Sequence, residues 1–496
     1  MRRIVPGESD TGGGEGTGRV LTTVDLAIRN GWVVRPDGRI RGGVAIDGGR
    51  IAAVGAEADL PPARRTIDAR DQLIIPGLID PHVHMSSEED PSIEEGLEAN
   101  LPRETGGMLH GGVTTFGHFV GAPGSPLGPR LEATIAGIER WSMADAFLHA
   151  YVFGQDDAAA LPSAWALGIA SFKHFYTPYG RPGRAGELHG VLASIATPDL
   201  LASMRAIAAL GAPALAMVHC EDGDLIAAEE ARMMATGRRD LEAWSLSRPP
   251  AAEGMRVDMA IALARYAGCP LYLVHASTAL AAASVARARA AGQTVWAEVG
   301  PHWLTHDGGM EGRIGCWGKV NPPLRTRADA DALWAGLARA ELSSVGTDSG
   351  TGGRRRETKE KGGGKHDNIW AARPGIRGGY EHMLPALMTF GVRAGRMTME
   401  QLVRATSFET ARVFGLYPRK GTLSVGADAD VVVVDPERRV RVDASYYRGL
   451  CEVGIYEGEE FVGLPRVVVA GGVVAVDEFE LVGRRTGRYL ARGGSS

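Results

Sequence analysis

Six side chains able to take part in metal binding are spread through the middle of this 496-residue chain: His82, His84, Lys173, His219, His275 and Asp348. His82 and His84 stand two apart. In a strand, residues i and i+2 point to the same face, so both imidazoles can reach one ion. The other four sit in or close to the ends of short apolar runs: Lys173 in IASFKHFY (169–176), His219 in ALAMVHC (214–220), His275 in LYLVHAS (271–277) and Asp348 in SSVGTDS (343–349). A lone histidine in a strand is usually a satisfied core residue. Six candidates over five strand ends are different, because a core has no reason to concentrate imidazoles on one face. The set is too large for one tetrahedral zinc and suggests two metals sharing a bridge.

Lys173 is the odd member, and only six of the 54 basic residues are lysines. A protonated ammonium is no metal ligand, and its burial is costly. Two readings follow. Lys173 pairs with a neighbouring carboxylate, or a desolvated neutral amine has reacted with CO₂ to give a carbamate whose two oxygens bridge two cations.

Such a constellation needs a scaffold that gathers distant strand ends. Short apolar runs recur at 73–85, 112–119, 147–154, 169–176, 214–220, 271–277, 294–300 and 343–349. Between several of them lie Ala/Leu/Arg-rich stretches closed by glycine, such as TPDLLASMRAIAALG and MRVDMAIALARYAG, which read as C-capped helices. Strands alternating with helices predict an α/β chain with a (β/α)₈ TIM-like barrel over 76–415, whose chemistry sits at the C-terminal strand ends. The flanks differ. Residues 25–75 and 416–480 carry short β-rich runs with Gly, Asn and Pro-Asp-Gly punctuation, the pattern of one small β domain built from both chain ends. Residues 1–24 read as a disordered tail and 481–496 as a C-terminal tail.

Composition narrows the function. Hydrophobic residues make up 44% and charged residues 23%, with a net charge of −5, so neither a nucleic-acid footprint nor a polybasic membrane patch is expected. No apolar run approaches the ~20 residues that span a bilayer. Four scattered cysteines give neither a disulfide framework nor a zinc knuckle. The N-terminal stretch has two arginines after Met1 but no apolar core of a signal peptide, so a cytoplasmic location is expected.

The motifs PGLIDPHVHM, GIASFKHFY, MVHCED, YLVHAST and VGTDS together resemble the amidohydrolase superfamily, in its cyclic-amidase branch of dihydropyrimidinases and hydantoinases. PHWL (301–304), KVNPPLR (319–325), RPGIRGGYEHMLP (373–385), ATSFETARVFGL (405–416), YEGEEFVGLPRVVVAGG (456–472) and the closing GRYLAR (487–492) extend the resemblance from about Asp25 to the C-terminus. The resemblance implies a barrel with a small β-sandwich, two zinc ions per chain and commonly a homotetramer. His82, His84, carboxylated Lys173 and Asp348 would hold one metal; Lys173, His219 and His275 would hold the other. A hydroxide shared by the metals would attack the amide carbonyl of a small cyclic amide or imide. Asp348 would carry the proton to the leaving nitrogen, and a tyrosine after the lysine would hold the oxyanion. Val299, with the adjoining backbone, and Asn321 would meet the imide edge of the ring.

The chain departs from that pattern in places. The tyrosine slot, five positions after Lys173, holds Pro178; Tyr176 and Tyr179 flank it, and Tyr179 is preferred because Gly180 keeps the usual ending. Ser349-Gly350 follows Asp348 in place of the usual His-x-Pro. Ser86 stands where dihydroorotases place an arginine, and Glu88, Glu89 and Asp90 follow it, which argues against an anionic ring. Residues 351–367 form a Gly-rich basic segment that reads as a solvated loop or as a lid. The alternatives are an allantoinase or acyclic amide hydrolase on the same scaffold, and a non-catalytic dihydropyrimidinase-like assembly protein. Filled ligand positions speak against the last.

Overall fold

Alternating apolar positions open the chain as strands. In a computed structural model that describes residues 23–85, 93–122, 126–177, 194–350, 368–372, 374–483 and 487–493, β1 (Val24–Arg35) pairs antiparallel with β2 (Gly38–Asp47), and β2 with β3 (Arg50–Gly55). Gly48 and Gly49 join β2 to β3, both with positive φ (54° and 76°), the backbone that a tight two-residue hairpin needs and that glycine adopts without strain. β4 (Ala63–Asp68) and β5 (Leu73–Pro76) then lie parallel to β1.

From β5 the chain enters a parallel sheet. β6 (Leu78–His84), β7 (Val113–Val120), β8 (Asp145–Tyr151), β9 (Ser171–Tyr176), β10 (Leu215–Cys220), β11 (Leu271–Leu273) and β12 (Val295–Val299) follow one another as neighbours. The eighth stave is interrupted. β13 (Ser344–Val345) pairs with β12, while β14 (Ser349–Gly350) pairs with β6 through Ser349↔Val83 and Gly350↔His84. One broken strand thus joins the seventh strand to the first and closes the ring, and Asp348 stands in the break. Helices such as Thr197–Leu210, Pro250–Ala267, Ala279–Ala290 and Arg327–Ala338 connect the staves. Gly268 caps Pro250–Ala267 in the left-handed conformation, and Thr326 with Asp329 forms a capping box on Arg327–Ala338.

The returning chain adds β15 (Val431–Arg441), β16 (Glu460–Ala470), β17 (Val473–Asp477) and β18 (Glu480–Leu481) to the first sheet. β15 pairs antiparallel with β5, from Val431↔Pro76 to Val434↔Leu73, so both chain ends share one nine-stranded sheet. Leu26, Ile28, Val44, Ile74, Val431, Val433 and Val467 bury its core. A larger cluster fills the space between staves and helices.

A buried ionic cluster links the two units. Lys420 Nζ lies 2.5 Å from Asp145, at the start of β8, 2.5 Å from Asp430 and 3.1 Å from Asp428. Residues 487–493 run beneath the barrel, where Arg492 donates to the Leu148 carbonyl and to Ser171 Oγ (2.9 Å). Among the described residues, no helix is long and apolar enough to cross a membrane.

Candidate active site

The C-terminal end of β6 puts His82 and His84 on one face, ring centroids 5.3 Å apart. Their Nε2 atoms lie 3.2 and 3.0 Å from Asp348 Oδ1. These three ligand atoms fall within 4.8 Å of one another, the spacing of a metal-binding group. Asp348 reaches them because its backbone has φ 51°, a left-handed conformation uncommon for a non-glycine residue. His275, with φ 38°, shares that property. Strain of about 1–3 kcal/mol at such a residue persists only where the surroundings over-determine it, and it clusters at functional sites.

Asp80 fixes the break that holds Asp348. Its carboxylate accepts from the Thr347 backbone N–H (3.0 Å), the Thr347 hydroxyl (2.5 Å) and the His82 N–H (3.2 Å). Burial pushes the Asp80 carboxyl up to about 7 in spite of those bonds. Burial also acts to raise Asp348, yet the imidazoles of His82, His84 and His275 hold it well below the usual carboxylate range. Desolvation lowers the basicity of His84 and His275, which keeps both imidazoles neutral and able to donate a lone pair to a cation.

Each strand-end histidine except His275 has a partner behind it. His82 Nδ1–H donates to Glu298, whose other oxygen accepts from Tyr272 Oη at 2.7 Å; the His275 N–H also donates to Glu298, at 3.1 Å. His219 Nε2–H donates to Glu221 at 3.0 Å. Burial would raise the Glu221 carboxyl, but the bond from His219 keeps it below its ordinary value. His84 Nδ1 lies 3.1 Å from the Tyr151 hydroxyl. Donation from Nε2 leaves the Nδ1 lone pair of His219 aimed at His275 Nε2, 3.0 Å away. His275 Nδ1 is buried without a partner among the described residues. Two imidazole nitrogens converging in this way suit a cation between them.

Lys173 lies on β9 in register with Tyr151 of β8 and Met217 of β10. Its side chain is buried, with Nζ 4.9 Å from the Phe119 ring centre and 5.4 Å from that of Phe175. No carboxylate of the described residues forms an ion pair with it, so the first of the two sequence readings finds no partner there. Burial pulls its amine down to about 8, partly opposed by Asp348 and Glu298. An amine made easier to deprotonate is the form that reacts with CO₂. The donor set therefore fits a pair of divalent ions: His82, His84 and Asp348 on one side, His219 and His275 on the other, and Lys173 between them on β9.

The remaining sequence candidates fall differently. Val299 is buried at the end of β12, and its carbonyl accepts from Gly346 N–H at 3.3 Å, within the barrel closure. Asn321 is half-buried just ahead of Pro322, and Pro322 lines a small cavity with His275, Glu253 and Cys220. The Tyr176 hydroxyl is engaged with Thr197 Oγ1 (2.8 Å) and Arg256 Nη1 (3.2 Å), among the helices that cover the barrel. Tyr179, the segment with Ser86, Glu88, Glu89 and Asp90, and residues 351–367 lie outside the described residues. Sequence reasoning passed over Asp80, Glu221, Glu298 and Tyr151. A signal existed for Glu298, a carboxylate inside the apolar run TVWAEVG, and for Asp80, two residues before His82.

A closed parallel barrel that gathers His82, His84 and Asp348 at metal-binding spacing on its strand ends is an arrangement suited to metal-assisted hydrolysis. Residues 195–475 match the model of the amidohydrolase family. An L-hydantoinase of Paenarthrobacter aurescens is 30% identical over 475 residues, covering 94% of this chain and 98% of its own. A D-hydantoinase of Geobacillus stearothermophilus is 31% identical, covering 94% and 96%. The crystal structure of a dihydropyrimidinase from Brevibacillus agri superposes with a TM-score of 0.83 at 28% identity, covering 95% of this chain and 99% of that one. The chain belongs to the amidohydrolase family, among the hydantoinases and dihydropyrimidinases.

Proposed function

We propose that this protein is a dizinc hydrolase that opens a cyclic amide or imide ring of the hydantoin or dihydropyrimidine type. The observation that carries the reading is the convergence of His82 and His84 on Asp348 beside a buried Lys173 that has no carboxylate partner among the described residues. Its relatives named hydantoinase and dihydropyrimidinase support the substrate class. Two zinc ions would be held by His82, His84 and Asp348 and by His219 and His275, with Lys173 as a carbamate bridge; bound there, they would supply a nucleophilic oxygen near neutral pH and polarise the amide carbonyl.

The protein's own groups do the rest. Asp348 is held ionised, so it can accept the proton of the attacking water and pass it to the leaving ring nitrogen. Glu298 and Glu221 keep His82 and His219 in the tautomers that present a lone pair inward. Tyr179 is proposed to stabilise the oxyanion, and the backbone at Val299 and the side chain of Asn321 to meet the imide edge of the ring. Ser86, followed by three acidic residues, gives no cationic partner for a ring carboxylate, so a neutral or weakly acidic ring is favoured over dihydroorotate.

The protein is further proposed to act as a homotetramer in the cytoplasm. Met255, Met259 and Tyr266 on helix Pro250–Ala267, together with Leu280 on Ala279–Ala290, expose apolar side chains suited to contact with a second copy. The deciding experiment is metal analysis combined with kcat/KM on hydantoin, dihydrouracil, allantoin, dihydroorotate and succinimide. Two zinc ions per chain and hydrolysis of a neutral ring are expected. Full activity in exhaustively metal-free protein would overturn the metal reading, and a preference for dihydroorotate would overturn the substrate reading.

A further inference from the structure

The geometry points to Tyr151 as the positioning residue of His84, setting which ring nitrogen of that histidine faces the metal. The inference rests on the metal-dependent reading above. β8 delivers the tyrosine to the site from the strand beside Lys173, with which it is in register. Its ring is buried among Phe119, Phe153 and Phe175, at centroid distances of 5.5, 5.4 and 5.6 Å and interplanar angles of 29°, 27° and 25°. Three near-parallel neighbours leave the ring little freedom to turn, so its hydroxyl is presented from a fixed point.

That hydroxyl lies 3.1 Å from His84 Nδ1, while His84 Nε2 lies 3.0 Å from Asp348 Oδ1. Nδ1 and Nε2 are on opposite sides of the imidazole. The phenol oxygen is therefore behind the ring, away from the reacting centre, and acts through His84 rather than on substrate. A neutral imidazole carries one N–H. If the phenol donated to Nδ1, Nε2 would bear the proton and could not ligate. With Nδ1–H donating to the phenol oxygen, the Nε2 lone pair is free for the cation. Tyr151 thus fixes the orientation that turns Nε2 of His84 inward and accepts from Nδ1–H once a cation takes the Nε2 lone pair, whereas the carboxylates of Glu298 and Glu221, which only accept, also fix the tautomers of His82 and His219. His84 needs such support, since its side chain is 29% exposed while that of His82 is 1%.

The test uses the full-length enzyme as Tyr151→Phe, which keeps the ring and its stack, and as Tyr151→Leu, which removes both ring and hydroxyl. Zinc affinity is measured by competition with a chelator, the site is probed by the absorption spectrum of the Co²⁺-substituted protein, and the metal-free proteins are melted as a fold control. Tyr151→Phe is expected to weaken binding of one of the two zinc ions by about 10–100-fold, the range seen for outer-shell partners. It should also alter the cobalt spectrum, and lower kcat more than it changes KM, with an unchanged metal-free Tm. Wild-type zinc affinity and cobalt spectrum in Tyr151→Phe, with loss only in Tyr151→Leu, would reduce the residue to ring packing and overturn the proposal. A wild-type protein that binds no zinc would instead overturn the metal-dependent reading on which it rests.

Discussion

Glu298 accepts a hydrogen bond from His82 Nδ1 across 216 residues of sequence, joining the end of the seventh strand to the end of the first. The same carboxylate accepts from Tyr272 and from the backbone of His275, so one buried group orders parts of both proposed metal positions. Glu298→Gln keeps the size but replaces one acceptor oxygen with a donor. Zinc affinity is expected to fall about 10–100-fold, with activity falling alongside it. Equilibrium dialysis against a zinc buffer checks this, and wild-type affinity in Glu298→Gln would show that the contact does not govern the ligand.

Lys173→Ala should lose metal and activity together, because the proposed bridge disappears. A short carboxylic acid added with zinc is expected to restore part of the turnover by supplying two oxygens in its place. Mass spectrometry of the metal-loaded wild type should show the 44 Da (roughly, the mass of CO₂) increment on the peptide with Lys173 under non-acidic handling. An unmodified amine in fully active enzyme would contradict the carbamate.

Buried histidines should make acid destabilise the fold well before the ordinary exposed carboxylates are neutralised, against an opposite contribution from Asp80 and Glu104, whose carboxyls burial raises to about 7. His306 and His382 are buried outside the proposed metal site, and burial pushes each down to about 3. Unfolded, each protonates near its ordinary 6.5. Between these values the unfolded chain binds more protons than the folded one, so stability rises with pH from about 3 to 6.5 and these groups add nothing more above that. Tm followed from pH 8 to 4.5 is expected to hold steady and then fall below about 6.5, and His306→Asn should flatten part of the fall. A Tm that rises on acidification would refute the assignment.

Among the described residues, Lys420 is the cation of its cluster with no exposed route for its charge: its side chain is 1% exposed and touches three aspartates, two of them no more than 1% exposed. Burial disfavours its ammonium, but Asp430, Asp145 and Asp428 together raise its basicity above the ordinary value. Lys420→Met would leave those carboxylates facing one another at the seam between barrel and β domain. A loss of about 3–5 kcal/mol is expected, the usual cost of stripping one partner from a buried ion pair. Urea unfolding monitored by circular dichroism measures it, and a loss below about 1 kcal/mol would show that Arg488 and Arg419 suffice.

Much of this site was legible from residue order because its logic is local. His82 and His84 share a face by the two-residue period of a strand, and Lys173, His219, His275 and Asp348 each stand at or near the end of their own apolar run. The alternation of strand and helix then sends all those ends to one rim of a barrel. Residue order could not show the groups that act across strands. Glu298, Asp80 and Tyr151 acquire their roles only when β12, β6 and β8 are side by side, and Tyr176, adjacent to the site in sequence, is drawn away to Thr197 and Arg256 by the alternation of its strand. The break in the eighth stave was equally hidden. Asp348 faces the histidines because Asp80 grips Thr347 and the strand resumes against β6, a backbone arrangement set by contacts 267 residues apart rather than by any local preference.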